Sequence, residues 1–347
     1  MEGRYQSNKP MRKILQRRPS SPFYLAVLFT LILLGIDFCV TSLLRNPQQQ
    51  IIYSDVVSPL IDVLACAALF IAAKQSFAQS RQLGIAWGLI AFSALVFALG
   101  DITWAILELG LSEPPFPSLA DAFYLLYYPL VLAGVLLLPE KPATRGEQIK
   151  KVLDVGIVMF AALLGFWNFL MGPLFSSNAD YPILQQVILL AYPVGDLVLL
   201  WALLRILYRR SDQQEENDVP AFLLAISFAV TIVADYIYTY QAFVGTYVSG
   251  GLVDISWRAG ILLTSLAGIA QVTAIRSSKS SLAFLIRRAR AITPYFPYVW
   301  LIAAFIILMR SSTYSMYMDF QSLSLAVGVI IGLVLPRQTR FLHNCEI

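Results

Sequence analysis

The sequence predicts an all-α integral membrane protein. Its ten transmembrane helices are expected to form two parallel four-helix repeats plus two extra helices, with both termini cytoplasmic. Three observations carry this reading. Of 347 residues, 58% are hydrophobic and only 13% charged, at a mean hydropathy of +0.69; a soluble domain carries about 25% charged residues. Apolar runs long enough to cross a bilayer recur from Phe23 to Pro336, and the basic residues alternate from one connection to the next.

Taken in order, the runs and their breakers place spans near 22–44, 56–74, 83–110, 119–138, 151–171, 183–208, 219–244, 251–275, 295–310 and 319–336. The first run is too long, and too free of a small-residue cleavage site, for a removable signal peptide. Arg17–Arg18 reads as a basic flank. The chain divides accordingly into a basic tail at 1–21, a first repeat at 22–138, a second at 151–275, an additional helix pair at 295–336 and a tail at 337–347.

Orientation follows from lysine and arginine. The N-terminal tail holds Arg4, Lys9, Arg12, Lys13, Arg17 and Arg18. The second, fourth, sixth and eighth connections hold Lys74 and Arg81, then Lys141 to Lys151, Arg205 to Arg210, and Arg276 to Arg290. The odd-numbered connections carry almost none, Arg45 and Arg310 excepted. Positive loops stay in the cytoplasm, so Ser112–Ser118 and Ser176–Tyr181 are expected outside. The net charge of +4 then reflects topology and calls for no nucleic-acid partner.

A duplication is visible in the acidic motifs. Pro59-x-x-Asp62 recurs as Pro193-x-x-Asp196, Asp101-x-x-Trp104 as Asp235-x-x-Tyr238, and Asp121-x-x-Tyr124 as Asp254-x-x-Trp257, at offsets of 134, 134 and 133 residues. "LLGIDF" in the first span is echoed by "LLGFWNF" in the fifth. Four spans per copy is an even number, so both copies share one orientation, about a pseudo-axis along the membrane normal. The last two spans lack the signature.

Asp37, Asp62, Asp101, Glu108, Asp121, Asp196, Asp235 and Asp254 all fall in the outer half of their spans or at its edge, with Arg258 the positive residue at that level. Ionisable groups inside a membrane face the bundle interior or a wet cavity and mark function. An aromatic three residues after an aspartate shares its helical face. Carboxylate and ring together suit a cation or amine, through charge and cation–π attraction, or a polyol. The expected ligand set is Asp62, Asp101, Trp104, Asp121, Tyr124, Asp196, Asp235, Tyr238, Asp254, Trp257 and Arg258. Asp121 is expected to rim an outward-facing cavity whose deeper wall is Asp101, Asp196 and Asp235, with Arg258 neutralising Asp254 one turn away. Plainer roles stand beside this. Ser118-x-x-Asp121 has capping-box spacing, and Asp254 can serve its helix start in the same way. Asp101, Asp196 and Asp235 could equally be interhelical glue, at about 0.6 kcal/mol per hydrogen bond, and the rings an interfacial belt.

Several chemistries have no support in the sequence. Cys39, Cys66 and Cys345 show no CxxC spacing and His343 is the single histidine, so neither disulfides nor a metal site are expected. There is no Walker loop, GxSxG, HExxH or nucleotide-binding glycine pattern; no cofactor is expected. Gly328-x-x-x-Gly332 has helix-packing spacing, and Arg287, Arg288 and Arg290 suit anionic lipid.

"ALGDITWAILELG", "PPFPSLADAFYLLYYPLVLAG", "AYPVGDLVLL" and "VADYIYTY…GGLVDISWRAG" together resemble the multi-pass N-terminal membrane region of bacterial signalling proteins that carry PAS, GGDEF or EAL domains. The resemblance spans roughly residues 20 to 340 and carries over no functional residue. It implies a sensor of the bacterial cytoplasmic membrane, here without cyclase or phosphodiesterase sequence. The expectation is therefore a non-enzymatic sensor acting on a separate output protein; the alternative is a small-solute or cation transporter. Membrane lipid, a cytoplasmic signalling protein and a second copy of the chain are the candidate partners.

Overall fold

Four helix starts are written into the sequence as side-chain caps. Asn46 caps the second helix, accepting the Gln48 N–H at 3.0 Å, with Pro47 behind it in the first turn. Ser80 accepts the Leu83 N–H at 3.1 Å. Ser118 with Asp121, and Thr144 with Glu147, close capping boxes. Such caps satisfy backbone donors that a helix start leaves open. Between the caps, apolar residues keep the backbone bonded to itself, as hydrocarbon requires. Pro59, Pro129, Pro193 and Pro336 lie inside helices, a placement that membrane helices tolerate when neighbours rescue the freed groups.

The computed structural model describes residues 21–113, 116–172, 182–209, 218–243, 246–276, 292–311 and 318–343. Among these there is no strand. The long helices are α1 (Ser21–Leu43), α2 (Pro47–Phe77), α3 (Arg81–Ala105), α4 (Leu119–Leu136), α5 (Arg145–Phe166), α6 (Ile183–Leu207), α7 (Val219–Phe243), α8 (Leu252–Arg276), α9 (Phe296–Ser311) and α10 (Phe320–His343). α3 and α5 end in π-helical turns, Ile106–Leu111 and Trp167–Met171. Among the described residues ten helices are long and apolar enough to cross a membrane, as a multi-pass membrane protein requires. Three differ from the sequence reading in extent. α2 begins nine residues before the expected 56, at Pro47, α5 begins six before the expected 151, at Arg145, and α10 runs through Pro336 to His343.

Six helices close a ring. α2 packs on α3, α3 on α4, α4 on α6, α6 on α7, α7 on α8, and α8 returns to α2. α1 lies outside the ring against α8, and α5 lies outside against α6. α9 and α10 pack on each other and on α5. Their small core joins Ile157 and Ala161 of α5 to Ala304 of α9 and to Leu323 and Ile330 of α10.

The ring gathers its acidic and aromatic residues toward one end. Toward the α1–α2, α3–α4 and α7–α8 connections it holds the acidic and aromatic residues. One or two turns further along the same six helices, Leu69, Ile90, Val131, Leu199, Phe228 and Ile261 pack into an apolar core. A cavity can therefore open at one end and be stopped by the other.

Candidate functional site

A cavity of about 110 Å³ lies within the acidic end of the ring, far above the roughly 10–15 Å³ that one water needs. α2 contributes Ser54, Asp55, Ser58, Pro59 and Asp62; α3 contributes Phe97, Asp101 and Trp104. α4 adds Tyr124, Tyr127 and Tyr128, and α6 adds Tyr192. Thr231, Asp235, Tyr238 and Thr239 come from α7, Tyr247 and Ser249 from the α7–α8 connection, and Asp254, Trp257 and Arg258 from α8. Five carboxyls and one guanidinium thus face a space walled largely by aromatic rings.

The Asp–aromatic motifs pair between helices, where the sequence reading paired them within one. Tyr124 on α4 donates to Asp101 Oδ1 on α3 at 2.7 Å. Trp257 on α8 donates to Asp235 Oδ1 on α7 at 2.6 Å. The ring three residues after each aspartate goes elsewhere. Trp104 Nε1 donates to Glu108 at 2.7 Å, and Tyr238 stands edge-on to Trp257 and Tyr247, at 5.3 and 4.8 Å between centroids. These bonds are what interhelical glue would make. Asp101 and Asp235 are nevertheless only half-buried and line the cavity, so both roles are open to them.

Behind each of these aspartates sits a second carboxyl. Asp62 of α2 is in hydrogen-bonding contact with Asp101, and Asp196 of α6 with Asp235. Asp62 and Asp196 are 1% and 0% exposed. Neither oxygen of Asp196, nor Oδ2 of Asp62, has an N–H or hydroxyl donor. A third carboxyl contact joins Asp55 of α2 to Glu108 in the π-helical turn after α3.

Asp121 and Asp254 do the work of helix caps. Asp121 accepts the Ser118 N–H at 2.7 Å and the Tyr192 hydroxyl at 2.5 Å; it is buried behind Tyr192. Asp254 accepts the Gly250 N–H at 2.6 Å and the Tyr247 hydroxyl at 3.2 Å. Gly250 has φ +83°, and a Cβ there would lie 2.5 Å from the Gln50 backbone, so this cap needs glycine. Burial and the Asp254 charge hold the Tyr247 phenol well above its ordinary pKa, which keeps it a donor. The cavity wall expected of Asp121 and Asp196 is therefore corrected: Asp121 is spent on its cap and Asp196 stands behind Asp235, neither lining the space.

Arg258 also departs from expectation. Its Nε donates to Asp37 of α1 at 2.8 Å, and Nη1 to Ser54 and Ser58 of α2, each at 2.9 Å. Asp254 is reached only through Ser54, whose hydroxyl donates to it at 2.9 Å. The reason is reach: α8 turns Arg258 toward α1 and α2, where a fully buried guanidinium finds the carboxylate it needs.

Of the residues singled out from the sequence, Asp62, Asp101, Trp104, Tyr124, Asp235, Tyr238, Asp254, Trp257 and Arg258 line this one cavity. Asp55, Ser54, Tyr127, Tyr128 and Tyr192 were missed. Asp55 lies two helical turns before Asp62, on the same face, one residue outside the span expected from 56. Tyr192 precedes Pro193 as Ser58 precedes Pro59, a signal the motif already contained. Among the described residues no group of three or more His, Cys, Asp or Glu side chains could hold a metal ion; the acids are spread around the wall. Cys345, the tail at 1–20 and the basic stretch 277–290 lie outside the described residues.

The fold and site together define a class: a multi-pass helical membrane protein with an acidic, aromatic cavity inside its ring. Comparison with protein-family models, curated proteins and solved structures finds no match for the chain.

Proposed function

We propose that this protein is a non-enzymatic sensor of the bacterial cytoplasmic membrane, binding a small cationic, amine-bearing or hydroxyl-rich solute from the outer face. The observation that carries this is the cavity itself. Five carboxyls and a set of rings surround it while its single guanidinium is already paired with Asp37. Such a wall favours positive charge and hydroxyl donors over anions. The Tyr238–Tyr247–Trp257 corner offers ring faces and edges, and Asp101, Asp235 and Asp254 offer acceptors.

The positive-inside rule puts the cavity at the outer end and both termini in the cytoplasm. The apolar core beyond the cavity supports sensing over transport, since apolar side chains from all six ring helices pack together there. We read α1–α4 and α5–α8 as two copies of one unit. In support, Asp62, Asp101 and Tyr124 make the same contacts as Asp196, Asp235 and Trp257. The outer helices differ, α1 packing on α8 and α5 on α6, α9 and α10. The output is a separate cytoplasmic protein that touches α9, α10 and the connection before them, consistent with the resemblance to bacterial signalling membrane regions.

Purified protein in liposomes decides between the two classes. A sensor is stabilised against heat by its solute and moves none across the bilayer. Saturable uptake of a solute that also stabilises the protein would replace sensing by transport.

A further inference from the structure

The cavity's acids come in pairs, and a pair of carboxylates cannot make a hydrogen bond without a proton. Asp62 meets Asp101, and Asp196 meets Asp235, each a fully buried carboxyl against a half-buried one. Both deep residues are within a hundredth of full burial, where neither water nor salt can screen the repulsion of two like charges. Two carboxyls so placed share one proton, the arrangement of a carboxyl dyad.

The surroundings do not supply the missing positive charge. Around the first pair stand the Tyr124 hydroxyl from α4, Asp55 on α2 itself, and Asp254 and Arg258 from α8. Arg258 is held by Asp37, and Asp254 adds a further acid. Around the second pair stand Tyr127 and Tyr128 from α4, Tyr192 on α6, Tyr238 on α7 and Trp257 from α8. All are neutral donors.

We propose that Asp62–Asp101 and Asp196–Asp235 are two proton-binding sites, each holding one proton between its carboxyls. This rests on the cavity reading above for its consequence: a cation settling beside Asp101 or Asp235 replaces that proton. The bound carboxyl becomes a carboxylate, the cation stays as its counter-charge, and the proton leaves through the cavity mouth. The ligand class is thereby narrowed to solutes that carry positive charge, and occupancy to an exchange of cation for proton.

Infrared spectroscopy of the full chain in lipid tests this through the carbonyl stretch of protonated carboxyls. At neutral pH the wild type should show this absorption. Asp62→Asn and Asp196→Asn should each remove one carboxyl's share, and the double variant two. Where a deep variant fails to fold, Asp101→Asn or Asp235→Asn breaks the same pair, since the amide supplies the missing hydrogen. No absorption in the wild type, or the same absorption in the variants, overturns the proposal. Choline then probes the exchange: bound choline, detected by protection against heat, should lower the absorption as it saturates. Protection with unchanged absorption overturns the exchange. No protection with the absorption intact would count against the cavity reading and leave the proton sites standing.

Discussion

Tyr124 reaches Asp101 because the residue before that aspartate is Gly100. A Cβ at Gly100 would sit 2.5 Å from the Tyr124 ring. Gly100→Ala should therefore push the phenol off Asp101, costing about 1–3 kcal/mol as overpacking does and loosening solute binding. Thermal unfolding in detergent measures the first effect; an unchanged midpoint would show that α4 can shift freely. Glu140, in the α4–α5 connection, offers a test at the other end of the bundle. Its burial favours the neutral acid, but hydrogen bonds and charge from Lys151 and Arg205 outweigh that and hold the carboxyl below its usual range. A depressed carboxyl contributes stability that is complete above its unfolded-state pKa and is lost as pH falls through the folded one. Acidification should accordingly lower the unfolding midpoint of the wild type more than that of Glu140→Gln. Parallel acid slopes would mean that the cluster contributes nothing.

At the scale of elements, α9 and α10 are fastened to α5 by a buried ion pair. Arg337 Nε donates to Asp154, while its other nitrogens donate to the Tyr298 hydroxyl at 2.6 Å and the Pro294 carbonyl at 2.7 Å. Removing one partner of such a pair leaves a buried charge, at about 3–5 kcal/mol, whereas replacing both by apolar residues is often neutral. Arg337→Leu should thus lower the unfolding midpoint markedly, and Arg337→Leu with Asp154→Leu should restore most of it. Equal midpoints for the single variant and wild type would contradict the role. This pair was not legible in the sequence, which placed Arg337 in a tail because Pro336 ended the apolar run. Helix periodicity finds neighbours on one face of one helix. It does not reveal which face meets which. That is why Asp101, Tyr124, Asp235 and Trp257 were all named from their spacing while their true pairings, across α3–α4 and α7–α8, were not. Asp55 lies outside the expected span because the polar residues between Pro47 and Asp55 hide the true start of α2.

For the molecule as a whole, the reading depends on which end faces out. A cysteine at Glu113 should be labelled by an impermeant reagent from outside intact cells, and one at Lys141 only after the membrane is opened; both residues are exposed. The reverse pattern would turn the cavity toward the cytoplasm and require a different ligand source. The central claim is that the acidic ring binds a positively charged or hydroxyl-rich solute through Asp101 and Asp235. Trp104 and Trp257 line the same space, and Trp257 hydrogen-bonds to Asp235, so their fluorescence reports on it directly. Titrating purified protein with small amines and polyols should give a saturable change in the wild type. Asp101→Asn and Asp235→Asn, folded and of near-normal stability, should weaken it at least tenfold, about 1.4 kcal/mol. If both variants saturate as the wild type does, the carboxylates are only glue between helices and the cavity is not the binding site.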